Sequence, residues 1–123
     1  LGILTSMCGA ESVLGVDIDD WCYNNTIDNL KLNDISNMQV KIGGADVLTK
    51  DMEFDIVLAN INRNILLADM DKYVKVLKQG GKLLMSGFYQ MDKIYIEEKA
   101  IELGLLKIGE KESNDWTALA FVK

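Results

Sequence analysis

In the sequence VLGVDID, residues 13–19, four residues without polar side chains are followed directly by the carboxylate of Asp17. A second stretch, FDIVLANI at residues 54–61, repeats this arrangement with the carboxamide of Asn60. Short apolar runs that meet a polar residue are typical of buried parallel strands whose carboxyl ends reach a ligand. Because ligands of open α/β sheets bind beyond those ends, the two stretches predict a nucleotide-like site.

Strands and helices alternate along most of the chain. A short helix over residues 1–8 is followed by Gly9 as its stop, and Asp19 or Asp20 can cap the next helix, which extends to about Asn33. Further strands are predicted at residues 38–42, 54–60, 82–86, 105–112 and 116–122. Helices are predicted after a cap at Asn62, with an apolar face made by Leu66, Met70, Tyr73 and Leu77, and over about residues 90–103. A helix stop and turn is predicted at residues 79–81, and a turn between the last two strands at Ser113-Asn114. The predicted fold class is therefore α/β, with a mostly parallel sheet that ends in an antiparallel hairpin.

Composition limits the classes of function. The chain has 123 residues, of which 49% are apolar and 26% charged, as expected of one globular domain. No apolar run approaches the roughly 20 residues that span a bilayer, and the net charge of −6 argues against a nucleic-acid-binding surface. The chain has no His, which excludes Ser-His, Cys-His and His-metal chemistry within it. Cys8 and Cys22 are interpreted as reduced core thiols, and no metal site is expected.

Three residues of the first half are candidates for binding a nucleotide. The carboxylate of Asp17 can accept hydrogen bonds from both ribose hydroxyls, since Asp19 and Asp20 already fill the capping role. Ile18 is placed to lie flat against an adenine, although core packing is the default for an apolar residue beside a strand end. Asp46, in the turn after the strand predicted at residues 38–42, is either an acceptor for an adenine amino group or an ordinary turn aspartate.

Asn60 is the main candidate of the second half. Its carboxamide can both donate and accept hydrogen bonds where the reactive end of a cofactor would meet the substrate. Asn62 is better placed as a helix cap and receives no site role. Trp116, at the start of the last strand, is expected to pack the sheet, with a substrate-facing position as the alternative.

Together these residues resemble a known family. The sequence is similar to the class I S-adenosylmethionine-dependent methyltransferases, and within them to the bacterial ribosomal protein methyltransferases that act on large-subunit protein eleven. The matching stretches are Gly9-Ala10, residues 15–19, Asn25, Asn29, Asn33, residues 57–61, Gly80-Gly81, Ser86-Gly87 and residues 115–119. The resemblance covers nearly the whole chain, and it is most specific at Asn60-Ile61 and at the Trp116 strand.

The resemblance implies a Rossmann-like sheet, S-adenosylmethionine as the cofactor, Asp17 as the ribose-binding acid and Asn60 as the cofactor-binding, catalytic asparagine. Ile18 and Asp46 complete the expected cofactor site. The acceptors it implies are lysine side-chain and N-terminal amines of a large-subunit ribosomal protein, which is the expected partner. We expect a cytoplasmic monomer that contacts neither membrane nor nucleic acid directly.

The resemblance also implies that residues 1–123 are a partial catalytic domain. The first strand of the family's sheet, its glycine-rich loop and an N-terminal substrate-recognition domain have no counterpart in this sequence. In the family's strand order the first strand lies between the strands that end at Asp17 and Asn60, so two strand edges are expected to be unpaired. We therefore expect residues 1–123 alone to be unstable or poorly cooperative in unfolding, and inactive.

Four alternatives stay open at this point. Methyltransferases for planar amides or nucleobases typically carry Asn-Pro-Pro-aromatic at the fourth strand tip, whereas this chain has no proline. An NAD-binding domain also places an acid after its second strand, but the terminal hairpin argues against it. A class I methyltransferase with another amine or small-molecule substrate, and a truncated fragment that binds nothing, are the remaining two.

Overall fold

The structure, a computed structural model, describes all residues 1–123. The chain divides into two compact units, Leu1–Val47 and Leu48–Lys123. In the first unit, helix α1 (Gly2–Met7) precedes strand β1 (Val13–Asp17), helix α2 (Asp20–Leu32) and strand β2 (Met38–Ile42). The strands β1 and β2 pair in parallel over their whole length, so that Asp17 lies opposite Ile42 at their carboxyl ends. A single 3-10 turn, Ala45–Val47, follows.

Local sequence signals account for the first unit. The Asp19 carboxylate accepts hydrogen bonds from the backbone N–H groups of Trp21 and Cys22, which caps α2 as predicted. Gly9 has a φ of 96°, a conformation that suits glycine, and it follows the end of α1. Leu30 of α2 is buried. The boundaries of β1, α2 and β2 thus confirm the expectations from the sequence.

The second unit holds a four-stranded sheet with helices on one face. Its elements are strand β3 (Phe54–Asn60), helix α3 (Arg63–Lys75), strand β4 (Leu77–Tyr89), a 3-10 turn (Gln90–Asp92), helix α4 (Lys93–Glu102), strand β5 (Leu106–Ser113) and strand β6 (Trp116–Val122). The strand order is β3-β4-β6-β5. Because β3 and β4 are parallel and β6 is antiparallel to both β4 and β5, three strands share one direction and β6 alone opposes them.

The core of the second unit lies between the sheet and its two helices. Side chains that are at most 1% exposed come from α3, α4, β4, β6 and the residue before β5: Leu66, Met70, Ile96, Ala100, Leu83, Met85, Phe88, Leu119, Phe121 and Leu105. The other face of the sheet is open in this unit, since Ile56, Leu58 and Leu84 are between 38% and 53% exposed. The alternation along β3 and β4 is what a sheet with one covered face requires.

The fold class is confirmed as α/β with C-terminal antiparallel strands, but the strands do not form one hydrogen-bonded sheet. β1 and β2 make a two-stranded sheet, and the other four strands make a second one. β1 pairs with β2 alone and β3 with β4 alone, so each has one unpaired edge, as expected. None of the helices has the length and apolar character needed to cross a bilayer.

Two turns differ from the prediction. Residues 79–81 are not a turn between helix and strand but part of β4, where Gly80 N–H donates to the carbonyl of Lys123 and Lys123 N–H to the carbonyl of Gly81. Leu77 accordingly begins β4 rather than ending α3. The hairpin turn lies at Asn114 and Asp115, one residue later than predicted, and both have positive φ as a two-residue type I′ turn requires.

Candidate functional site

Three of the predicted site residues lie together at the carboxyl ends of β1 and β2. Asp17 ends β1, and Oδ1 of its exposed side chain accepts a 3.0 Å hydrogen bond from the backbone N–H of Asp19. Ile18 is 72% exposed, so the core-packing alternative is wrong for this residue. Its Cγ2 atom lies 4.0 Å from the position that a Cβ on Gly44 would take, which places it beside the turn that follows β2.

Asp46 stabilises that turn through a side-chain hydrogen bond. Its Oδ1 accepts a 3.1 Å hydrogen bond from the backbone N–H of Gly44, which is the contact of an ordinary turn aspartate. The second carboxylate oxygen makes no hydrogen bond within the chain. The tips of β1 and β2 therefore present one carboxylate, one exposed apolar side chain and a second carboxylate with a free oxygen.

Neither cysteine is in the core, which corrects the expectation from the sequence. Cys8 is exposed and Cys22 is half-buried, and both are free thiols. Partial burial raises the pKa of the Cys22 thiol, and the neighbouring carboxylates of Asp17 and Asp19 raise it further. A raised pKa keeps Cys22 protonated and therefore weakly nucleophilic at neutral pH.

Asn60 belongs to the second unit, where it borders a cavity at the carboxyl ends of β3 and β4. The cavity has a volume of about 650 Å³ and is lined by Asn60, Ile61, Asn62, Ser86, Gly87, residues 111–113 and residues 116–118. Oδ1 of Asn60 accepts a 3.0 Å hydrogen bond from the hydroxyl of Ser86, and its Nδ2 has no partner within the chain. Asn62 caps α3 through Ile65 N–H, as predicted.

Gly87 brings β4 close to the backbone of Ile61. Its φ is 92°, and the register of β4 against β6 shifts between Ser86 and Phe88. A Cβ at this position would lie 2.8 Å from the carbonyl oxygen and 2.9 Å from the nitrogen of Ile61. Only glycine fits here, so the bulge at Gly87 fixes how Asn60 and Ile61 approach β4.

Trp116 forms one wall of the cavity. Its ring centroid is 4.5 Å from that of Tyr89 at an interplanar angle of 34°, yet its side chain is 49% exposed. Trp116 therefore packs on the sheet through its contact with Tyr89, as expected, and its exposed part lines the cavity. Ser86, Gly87 and Lys111 also line the cavity, although no individual site role was expected of them. Their position depends on strand register, for which the residues themselves carry no local signal.

Comparison with known proteins identifies the family. The family described as Ribosomal protein L11 methyltransferase (PrmA) matches residues 1–123. A protein of that name from Phocaeicola vulgatus is 48% identical over 122 residues, which cover 99% of this chain and 43% of the relative. This chain thus spans less than half the length of the curated relatives it matches.

Solved structures agree on the fold. The ribosomal protein L11 methylase from Lactobacillus delbrueckii subsp. bulgaricus superimposes with a TM-score of 0.92 at 28% identity, covering 99% of this chain and 63% of that one. The N-methyltransferase NodS from Bradyrhizobium japonicum WM9, in complex with S-adenosyl-L-homocysteine, superimposes with a TM-score of 0.71 at 16% identity. The superposition covers 98% of this chain and 72% of the NodS chain. With the family matched along all 123 residues, the chain belongs to the ribosomal protein L11 methyltransferase family.

Proposed function

We propose that this chain is part of the catalytic domain of an S-adenosylmethionine-dependent methyltransferase that acts on lysine side-chain and N-terminal amines of ribosomal protein L11. The observation that carries the proposal is the placement of Asn60, whose unpartnered Nδ2 lies at the border of the cavity beside Trp116. Family membership over residues 1–123 supplies the substrate class. Substrate recognition by a separate N-terminal domain belongs to the same proposal, since the relatives are more than twice as long.

The residues at the tips of β1 and β2 fit an adenosine. In this proposal the carboxylate of Asp17 accepts from the ribose hydroxyls, and the exposed side chain of Ile18 covers a face of the adenine. The unengaged oxygen of Asp46 accepts from the adenine amino group. When bound, S-adenosylmethionine supplies a methyl group on a positively charged sulfur, which a neutral amine attacks.

Asn60 and its surroundings position the acceptor. The Asn60 Oδ1 has a second lone pair beyond the Ser86 hydrogen bond and can accept from an amine N–H, which directs the nitrogen lone pair away from the carboxamide. In this proposal the proton released by the amine passes to water. Orientation and charge placement then provide most of the rate enhancement.

Mass spectrometry tests this function directly. The full-length protein is incubated with S-adenosylmethionine and ribosomal protein L11, and the methylated positions are mapped. The proposal predicts methyl groups on lysine side chains or the N-terminal amine, and at least a tenfold slower transfer by an Asn60→Ala variant that still binds S-adenosylmethionine. Transfer to a small molecule or to RNA, with none to the ribosomal protein, would overturn it.

The expected state and location follow from the same proposal. We propose a cytoplasmic monomer that makes no direct nucleic-acid contact, on the basis of the net charge of −6 and of a ribosomal protein as substrate. Light scattering of the full-length protein tests the monomer, and a filter-binding assay with ribosomal RNA tests the absence of nucleic-acid binding.

A further inference from the structure

A row of four side chains crosses the sheet at the cavity. Strand register pairs Asn60 with Ser86, Ser86 with Ala118, and Ala118 with Lys111. Directly paired residues of neighbouring strands lie on the same face, so the four occupy one line on the open face. Because Ala118 carries only a methyl group, the row leaves room between Ser86 at one side and Lys111 at the other.

Lys111 is the uncompensated charge of this cavity. The other charged lining residue, Glu112, pairs with Thr117 in register and therefore lies on the face that the helices cover. There its carboxylate accepts a 3.0 Å hydrogen bond from Gln90 and lies 3.6 Å from Nζ of Lys93. Lys111 makes no ion pair or hydrogen bond through its ammonium group, in contrast to Lys107 on the same strand, which pairs with Glu97.

Two N–H donors of the cavity lining have no hydrogen-bond partner. Nδ2 of Asn60 and Nε1 of Trp116 make no hydrogen bond within the chain, and no unpaired carboxylate lines the cavity. A lining that offers N–H donors and one free positive charge complements a ligand that carries acceptors and a negative charge.

We propose that Lys111 binds an Asp or Glu carboxylate of the substrate protein, in the segment that carries the acceptor amine. This inference rests on the proposed function, since it places that amine beside Asn60. Three strand spacings separate Asn60 from Lys111, about 14 Å, which an extended peptide covers in about four residues. The structure thus assigns to the substrate an acidic residue within four positions of the methylated amine.

Steady-state kinetics of the full-length protein with two acceptor peptides tests the assignment. One peptide carries the methylated segment, and in the other each acidic residue within four positions is replaced by its amide. For the wild type, we expect KM to be about fivefold higher for the amide peptide, the effect of one partly exposed charge pair, with kcat little changed. A Lys111→Gln variant should show the higher KM with both peptides.

Lys82→Gln is the matched control. Lys82 is also exposed, is on the same face of the sheet opposite Val122, and does not line the cavity. It should keep the wild-type difference between the peptides. An equal loss in Lys82→Gln, a peptide difference that persists in Lys111→Gln, or a methylated segment without an acidic residue in that window would overturn the inference.

Two further measurements distinguish carboxylate binding by Lys111 from phosphate binding and from a failure of the proposed function. Competition of polyadenylate RNA with the acidic peptide, lost in Lys111→Gln, would assign a phosphate rather than a carboxylate to Lys111 and overturn the inference. A wild-type protein that does not methylate the segment at all would refute the proposed function itself, whereas normal wild-type turnover with unaltered Lys111→Gln kinetics would refute the role of Lys111 alone.

Discussion

The hydroxyl of Ser86 donates a 3.0 Å hydrogen bond to Oδ1 of Asn60 across the paired strands β3 and β4. The contact occupies one lone pair of the carboxamide oxygen and so fixes the plane of the amide. Ser86 also lines the cavity, so under the proposed function it is a positioning residue for Asn60.

Removal of the Ser86 hydroxyl should slow methyl transfer without weakening cofactor binding. A Ser86→Ala variant loses one hydrogen bond worth about 1 kcal/mol, which corresponds to about a fivefold lower kcat. Single-turnover methylation of ribosomal protein L11 measures it, and Ser86→Thr, which retains a hydroxyl, should restore most of the rate. An unchanged kcat in Ser86→Ala would show that the hydrogen bond does not orient Asn60.

A side chain at Gly87 should disturb both stability and catalysis. The Cβ of Gly87→Ala would lie 2.8 Å from the Ile61 carbonyl oxygen at a φ of 92°, so the free energy of unfolding should fall by about 2 kcal/mol. Gly109→Ala is the control, since its Cβ would meet only the Cβ of Ala120 at 3.9 Å. Thermal unfolding of the full-length variants measures the difference, and equal melting temperatures for the two would contradict the close approach at Gly87.

Stability should decline at high pH through Tyr73. Burial, with a smaller effect of Asp69, raises the pKa of the Tyr73 hydroxyl to about 12. Because an unfolded tyrosine ionises near pH 10, about the ordinary value, the stabilising contribution of neutral Tyr73 is complete below that pH and is lost as pH rises toward 12. NMR titration of ¹³C-labelled tyrosine measures the pKa, with Tyr73→Phe for assignment. Titration of Tyr73 near pH 10 would contradict its buried position.

Residues 1–123 produced alone should unfold without a sharp transition. β1 and β3 each have one unpaired edge, and Ile56, Leu58 and Leu84 leave an apolar sheet face open. Exposed edges and apolar faces favour association between chains. Circular dichroism melting and size-exclusion chromatography of the isolated chain test this. A single steep transition of a monomer would show that these surfaces do not compromise the fold.

Much of the secondary structure can be predicted from the sequence because its signals are local. The caps at Asp19 and Asn62 and the apolar runs of β1 and β3 depend on neighbouring residues alone. Gly80 and Gly81 have the composition of a turn, but hydrogen bonds to Lys123, more than forty positions away, make them part of β4. The division of the strands into two sheets likewise depends on long-range pairing.

The candidate site is predictable to the same extent. The positions of Asp17 and Asn60 at strand ends could be predicted because a polar residue that ends an apolar run is visible in the sequence. Ser86 and Lys111 acquire a position only when four strands align Asn60, Ser86, Ala118 and Lys111 in one row. Register between strands depends on packing and on bulges such as that at Gly87, which a one-dimensional pattern does not encode.

Calorimetric titration of S-adenosylmethionine into the full-length protein measures whether the β1 tip binds the cofactor. We expect binding by the wild type and by Asp20→Ala. Asp17→Ala should weaken binding about 100-fold, because two hydrogen bonds to a charged group are lost. Equal affinity of the wild type and Asp17→Ala for S-adenosylmethionine, or binding of NAD in its place, would show that Asp17 does not hold the ribose of S-adenosylmethionine.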